Sequence, residues 1–259
     1  MTTPVLAHDD AGSGTPLVLL HGFPLDRALW APQRRALAGA ARVIIPDLRG
    51  FGESAALGDP PTTVDGHADD IAALLDALGL ERVVIGGMSM GGYVALAFWR
   101  RHRARVAALL LADTRAGADS AEGKEKRRAM METARTIGAR GVADAMMPGL
   151  LGKTTRAKRP ETEPELRAIL ERASVPGILA AIQAMMDRPD ASAMLATIDV
   201  PTLIVVGEED ALTPVKESEA MHAAIAGSRL EIIPGAGHCA NFERPAAFDH
   251  VVEEFLRGV

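Results

Sequence analysis

Six short aliphatic runs, at residues 17–20, 42–45, 82–85, 106–111, 203–206 and 230–233, are each followed within two residues by Gly, Asp or Pro. This rhythm constrains the fold more than any other feature of the chain. Runs that are apolar at nearly every position belong to strands buried on both faces, and the stretches between them supply the helices that cover a parallel sheet. Helices are predicted over 28–37, 63–78, 90–102, 214–226 and 245–257, the second from its stripe of Ile71, Leu74, Leu75 and Leu78. A short strand near 5–8 is predicted to join the sheet.

The rhythm breaks once. Between Thr114 and Thr202 lie 87 residues, whereas a crossover between parallel strands needs only about a dozen. The stretch is rich in helix formers interrupted at Pro148-Gly149, Pro160, Pro164 and Pro176-Gly177. Residues 115–195 are therefore expected to form a helical cap, and 1–114 with 196–259 the core domain beneath it. The cap segment holds 14 Lys plus Arg against 11 Asp plus Glu, net +3, which leaves −9 for the rest. An electropositive cap over an acidic core suits docking between the two, or an anionic substrate drawn to the gap; solvated helix faces are the plainer reading.

Composition limits the partners. A net charge of −6 and only six Phe, two Trp and one Tyr argue against nucleic acid, which calls for a basic face or stacking platforms. No apolar run approaches a membrane span, and the first ten residues lack the basic and apolar stretches of a signal peptide. The single Cys239 excludes an internal disulfide or a Cys-rich zinc site, and no H-E-x-x-H motif occurs. Gly152-Lys153-Thr154 lacks the leading glycine of a phosphate loop, because position 147 is Met. The expectation is a cytoplasmic protein, monomer or homodimer, acting on a small molecule without cofactor or metal.

The chemistry is concentrated in Gly87-Met88-Ser89-Met90-Gly91, directly after the run at 82–85 and directly before a predicted helix. Strand, G-x-S-x-G, helix is the context of a nucleophile elbow: small residues two before and two after the serine let strand and helix approach, and the hydroxyl is thrust out at the carboxyl end of the sheet. A serine needs a base. Of seven histidines, His67, His222 and His250 lie on predicted helices with surface or interface roles, and His102 sits in a basic run at a helix end. His238 differs, because it follows the last strand through Pro234-Gly235-Ala236-Gly237. The imidazole needs an acid to fix its tautomer. Asp210, closing Gly207-Glu208-Glu209-Asp210, has the right edge and the chain order Ser, Asp, His; Asp113 is its rival, and Glu208 and Glu209 are expected to face solvent. An oxyanion would be met by the backbone N–H groups of Met90 and Phe23, with Pro24 stiffening the loop and His21 bonding the loop backbone.

Together, His21-Gly22-Phe23-Pro24, Asp47-Leu48-Arg49-Gly50-Phe51-Gly52-Glu53-Ser54, the serine elbow, Gly207 to Asp210 and Gly237-His238 resemble the α/β-hydrolase superfamily. The likeness is to its cap-bearing branch, and within that to carboxylesterases and 3-oxoadipate enol-lactonases. The resemblance implies a mostly parallel eight-stranded sheet with a helical cap inserted after the sixth strand. Only about 16 residues precede the run at 17–20, so the N-terminal hairpin is expected to be shortened to one strand. The branch's dehalogenases and epoxide hydrolases use Asp as nucleophile; Ser89 sets this chain apart from both.

Seven of the eleven methionines, Met130, Met131, Met146, Met147, Met185, Met186 and Met194, fall in the cap, and Met88 and Met90 flank Ser89. Met88, Met130, Met146, Met147 and Met185 are the candidates for a pliable acyl pocket, set against plain helix packing. Arg115, Arg135, Arg140 and Lys153 are the cap cations eligible to meet an anionic substrate. The expected reaction is cleavage of a carboxylic ester or lactone through an acyl-enzyme. C–C bond hydrolysis or perhydrolysis on the same residues, or a ligand sensor that keeps a hydrolase triad, are the alternatives.

Overall fold

The computed structural model describes residues 5–259. Its strands are β1 (His8–Ala11), β2 (Pro16–Leu20), β3 (Arg42–Pro46), β4 (Val83–Met88), β5 (Val106–Ala112), β6 (Thr202–Gly207) and β7 (Arg229–Ile233). They form one sheet in the order β1-β3-β2-β4-β5-β6-β7, parallel throughout except for β1, which runs antiparallel to β3. The carboxyl ends of six strands thus share one edge, where the loops carrying Phe23, Ser89, Asp113, Asp210 and His238 emerge.

Three sequence expectations shift. The first strand lies at His8–Ala11 and not at 5–8, because its charges hid it. Asp9 pairs with Arg34 at 2.7 Å and Asp10 with Arg42 at 2.7 Å along the sheet edge, while Leu6 turns into the core. Among the described residues the sheet has seven strands and not eight, so the helices over 121–187 follow the fifth strand and not the sixth; the single N-terminal strand accounts for the missing one. Finally, β4 runs on through Gly86 and Gly87, which read as a turn signal. Leu19 and Leu110 fill the space that a side chain at Gly86 would need.

The helix predicted over 28–37 is broken into a 3₁₀ turn, α1 (Ala31–Ala36) with Pro32 in its first turn, and a second 3₁₀ turn. Next come α2 (Val64–Ala77), capped by the Thr63 hydroxyl, and α3 (Met90–His102). Between β5 and β6 lie five helices: α4 (Ala121–Thr136), α5 (Ala139–Leu150), α6 (Lys153–Lys158), α7 (Thr162–Leu170) and α8 (Val175–Asp187). The chain ends with α9 (Val215–Ala224), α10 (Ala240–Glu243) and α11 (Pro245–Leu256). Alternate residues of the strands face opposite ways. Val18 and Leu20 pack toward α2, α3 and α9, while Leu17 and Leu19 pack toward Trp30 and α11. No single helix among the described residues is long and apolar enough to cross a membrane.

His67, expected at a surface or interface, is instead buried on α2, and neither ring nitrogen has a partner. Burial, with the nearby His21 and Arg49 adding to it, pushes its pKa from 6.5 down to about 3. The unfolded chain takes up a proton near 6.5 that the folded chain refuses until about 3, so the stability tied to neutral His67 is lost as pH falls through that window. Thermal melts of wild type and His67→Leu from neutral to acid pH should show a steeper decline in the wild type; parallel curves would contradict this assignment.

Candidate active site

Ser89 leaves β4 with φ 53° and ψ −113°, a left-handed backbone that costs a non-glycine residue about 1–3 kcal/mol. The surroundings hold it there. Its N–H donates to the Ala112 carbonyl at 2.9 Å, and its own carbonyl accepts from the Thr114 hydroxyl at 2.7 Å and from the Gly92 amide at 2.9 Å. Gly87 and Gly91 lie in backbone contact across the bend, and Gly91 also abuts the Leu20 carbonyl, so a methyl group at either position would overlap main-chain atoms. Ser89 is half-buried, at the head of α3, whose first-turn dipole favours negative charge beside it.

The Ser89 Oγ lies 2.9 Å from His238 Nε2, and His238 Nδ1 lies 2.8 Å from Asp210 Oδ2. His238 and Asp210 are both buried. Burial raises the Asp210 pKa, but His238 and the hydrogen bonds from Thr213 outweigh it and leave the carboxyl below its ordinary 3.8. The Leu212 and Thr213 amides donate to Oδ1, and the Thr213 hydroxyl donates to Oδ2 at 2.7 Å. An ionised Asp210 can only accept, so Nδ1 carries the proton of neutral His238 and Nε2 is left as the acceptor for the serine hydroxyl. Proton transfer from Ser89 to His238 is within reach in this geometry.

Asp113 is not drawn to His238. Its carboxylate takes the amides of Gly207 at 2.8 Å and Ala240 at 3.2 Å, and burial together with the charge of Asp210 raises its pKa well above 3.8. It ties β6 to α10. The Phe23 and Met90 amides have no protein acceptor among the described residues. The loop that carries Phe23 is held by His21, whose Nδ1 donates to the Gly22 carbonyl at 2.9 Å while Nε2 accepts the Leu48 amide at 3.0 Å, an arrangement open only to the neutral ring.

A cavity of about 500 Å³ opens over this edge, with Ser89, His238 and Phe23 on one side and Met130, Met146 and Met185 on the other. Two of the expected pocket methionines are elsewhere. Met88 is buried in the core, and Met147 packs among Leu150, Leu166 and Leu170, because successive side chains alternate faces on a strand and turn by about 100° on a helix. Of the eligible cations only Arg115 reaches the cavity; Arg135, Arg140 and Lys153 are exposed away from it. Lys126, Arg127 and Tyr93, unremarked in the sequence, line it as well. Tyr93 sits one helical turn after Ser89, a spacing that signals a shared face.

Two carboxylates fasten the helices between β5 and β6 to these loops. Glu209, expected in solvent, accepts from the Thr154 amide at 2.9 Å and the Thr154 hydroxyl at 2.6 Å. The fully buried Glu243 accepts from Gly237 at 2.8 Å and Cys239 at 3.2 Å, the amides on either side of His238, and from Gly152 at 2.9 Å. Neither role is legible without coordinates, since the partners lie up to 91 residues away.

Residues 17–251 match the alpha/beta hydrolase family, and the chain belongs to it. A thermophilic esterase from Thermogutta terrifontis, solved with malate bound, is 44% identical, with a TM-score of 0.94 over 98% of this chain and 93% of that one. The enol-lactonase from Burkholderia xenovorans LB400 is 29% identical, with a TM-score of 0.89 over 97% and 96% of the two chains. A 2-hydroxymuconate semialdehyde hydrolase from Pseudomonas sp. strain CF600 is 30% identical over 95% of this chain and 88% of its own. The protein is therefore an α/β hydrolase with esterase, enol-lactonase and C–C hydrolase relatives.

Glu243→Ala strands three buried amides at once. It should lower stability by about 2–4 kcal/mol in urea melts, and a loss under about 0.5 kcal/mol would show that these bonds hold nothing.

Proposed function

We propose that the protein is a serine hydrolase that cleaves carboxylic esters or lactones of small to medium acyl groups through an acyl-enzyme. The observation that carries this reading is the unbroken chain from Ser89 Oγ to His238 Nε2 at 2.9 Å and from His238 Nδ1 to Asp210 Oδ2 at 2.8 Å. His238 takes the hydroxyl proton as Ser89 attacks the carbonyl carbon, and Asp210 stabilises the imidazolium that results. The oxyanion is received by the Phe23 and Met90 amides. His238 then gives the proton to the departing alcohol oxygen. Water, deprotonated by the same imidazole, releases the acid and restores Ser89.

The helices over residues 115–195 act as the cap, and their Met130, Met146 and Met185 form a deformable acyl pocket with Phe23 and Tyr93 as its aromatic members. A cytoplasmic enzyme, monomeric or homodimeric and acting without cofactor or metal, completes the reading from the sequence. C–C bond hydrolysis is a second reading, favoured by the 30% identical semialdehyde hydrolase.

Ser89→Ala should reduce turnover of a chromogenic ester by on the order of 10⁴-fold or more, and near-normal turnover would refute the nucleophile. Asp210→Asn should reduce kcat by on the order of 10⁴-fold, whereas Asp113→Asn should stay within about tenfold of wild type. The reverse order would make Asp113 the partner of His238. A ring-cleavage dienoic acid hydrolysed far faster than any ester or lactone would select the C–C reading.

A further inference from the structure

Tyr93 stands one turn of α3 after Ser89, and its amide donates to the Ser89 carbonyl at 3.3 Å. It is 6% exposed, and the Arg188 guanidinium covers its ring at 4.1 Å. Arg188 is itself immobilised, by Asp119 at 2.9 Å and by the Met185 and Gly117 carbonyls at 2.6 and 2.8 Å. The ring is thus held both through its backbone and through its face.

Behind it lies a second chamber of about 20 Å³, walled by Val64, Leu96, Ala97, Pro189 and Met194. The charged side chains around that chamber are paired: Arg100 with Asp65, and Arg115 and Arg188 with Asp119. Tyr93 and Arg115 are the residues it shares with the cavity over Ser89. A ring present for packing alone would leave little gap behind it, because protein interiors close around their side chains. Tyr93 instead has free space on both sides and forms a partition.

The chemistry decides which arm of the substrate meets that partition. The carbon attacked by Ser89 carries three other groups. The departing oxygen must face His238 Nε2 to receive its proton, and the oxyanion must face the Phe23 and Met90 amides. The acyl chain takes the direction that remains, away from His238. On either side of His238, Ala236 and Cys239 pack on one face of the sheet, whereas Tyr93 and Met185 pack on the other. The acyl chain therefore runs toward Tyr93. The alcohol side is open by contrast: Leu212, two residues after Asp210, is 43% exposed, and Ala211 lines a surface groove with Pro148 and Lys153 as well as the cavity.

We infer that Tyr93 is the end wall of the acyl pocket and fixes the longest acyl chain that is accepted, while the alcohol is left unrestricted. The inference rests on the ester-hydrolase reading and deepens it into a substrate class: esters of acids up to a set length with alcohols of varied length.

The test compares p-nitrophenyl esters from acetate to decanoate with acetates of alcohols from ethanol to octanol. In the wild type, kcat/KM should rise about fourfold for each methylene buried in the acyl series, then fall once the chain meets Tyr93; the alcohol series should show no such fall. Tyr93→Ala, and Tyr93→Leu as a milder variant that still covers Arg188, should move the peak to acyl chains longer by about two carbons or more, a gain of at least about tenfold for the longer ester. Tyr93→Phe, which keeps the ring, should leave the peak in place. Ala97 lies one turn beyond Tyr93 on α3. Side chains on a helix lean toward its N-terminus, so Ala97→Leu added to Tyr93→Ala should refill the space and return the peak to its wild-type length. An unmoved peak in Tyr93→Leu, or a wild type that is cut off by alcohol length and not by acyl length, would overturn the end wall and leave the hydrolase reading standing. Failure to hydrolyse any ester of either series would overturn the hydrolase reading, and this inference with it.

Discussion

The rest of the structure depends on one residue held in an unfavourable backbone. Ser89 sits at φ 53° because β4 must end and α3 must begin within a single bend, and that bend is possible only where Gly87, Gly91 and the Leu20 carbonyl come into contact. The energy stored there is offset by the burial of β4, flanked by β2 and β5 and apolar along its whole length. A parallel sheet places the carboxyl ends of its strands on one edge, so the same constraint that exposes the serine also brings up the loops after β2, β6 and β7. The geometry of the proposed active site is thus a consequence of sheet topology, with side-chain choice settling the chemistry.

Position alone does not explain why Asp210 and not Asp113 serves His238. Both follow adjacent parallel strands and both are buried. They diverge in what surrounds them. Asp210 gathers two amides, the Thr213 hydroxyl and the imidazole, and is held in its ionised form. Asp113 also accepts two amides, from Gly207 and Ala240, but burial and the charge of Asp210 prevail over them and favour the protonated form. In the proposed mechanism the two carboxyls, driven apart in this way, divide the work, Asp210 stabilising charge on the histidine while Asp113 pins backbone.

Much of this was legible in the sequence, and the failures share a cause. Strand runs, the elbow and the chain order of Ser89, Asp210 and His238 are local patterns, and local patterns survive without coordinates. The first strand lies away from 5–8 because His8-Asp9-Asp10-Ala11 carries no apolar alternation; it is held by its antiparallel ladder to β3, with Asp9 and Asp10 paired to Arg34 and Arg42 along the edge. His67 lies four residues before Ile71 and so continues the stripe of Ile71, Leu74, Leu75 and Leu78; that spacing, and not its titratable ring, marks the face it occupies. Glu209, expected in solvent, and Glu243 and Arg127, which no motif marks, owe their places to partners distant in sequence or to a cavity that several elements enclose. Met88 and Met147 show the converse: proximity along the chain to Ser89 or to Met146 does not place a side chain in the same space.

The central claim is that Ser89 is made nucleophilic by His238. A fluorophosphonate that reacts only with activated serine hydroxyls, followed by peptide mapping, tests it without any assumption about substrate. One phosphonyl group per chain, confined to Ser89 and greatly slowed in His238→Ala, is the result this account predicts. Labelling at another residue, or modification of Ser89 at the same rate in His238→Ala, would contradict it.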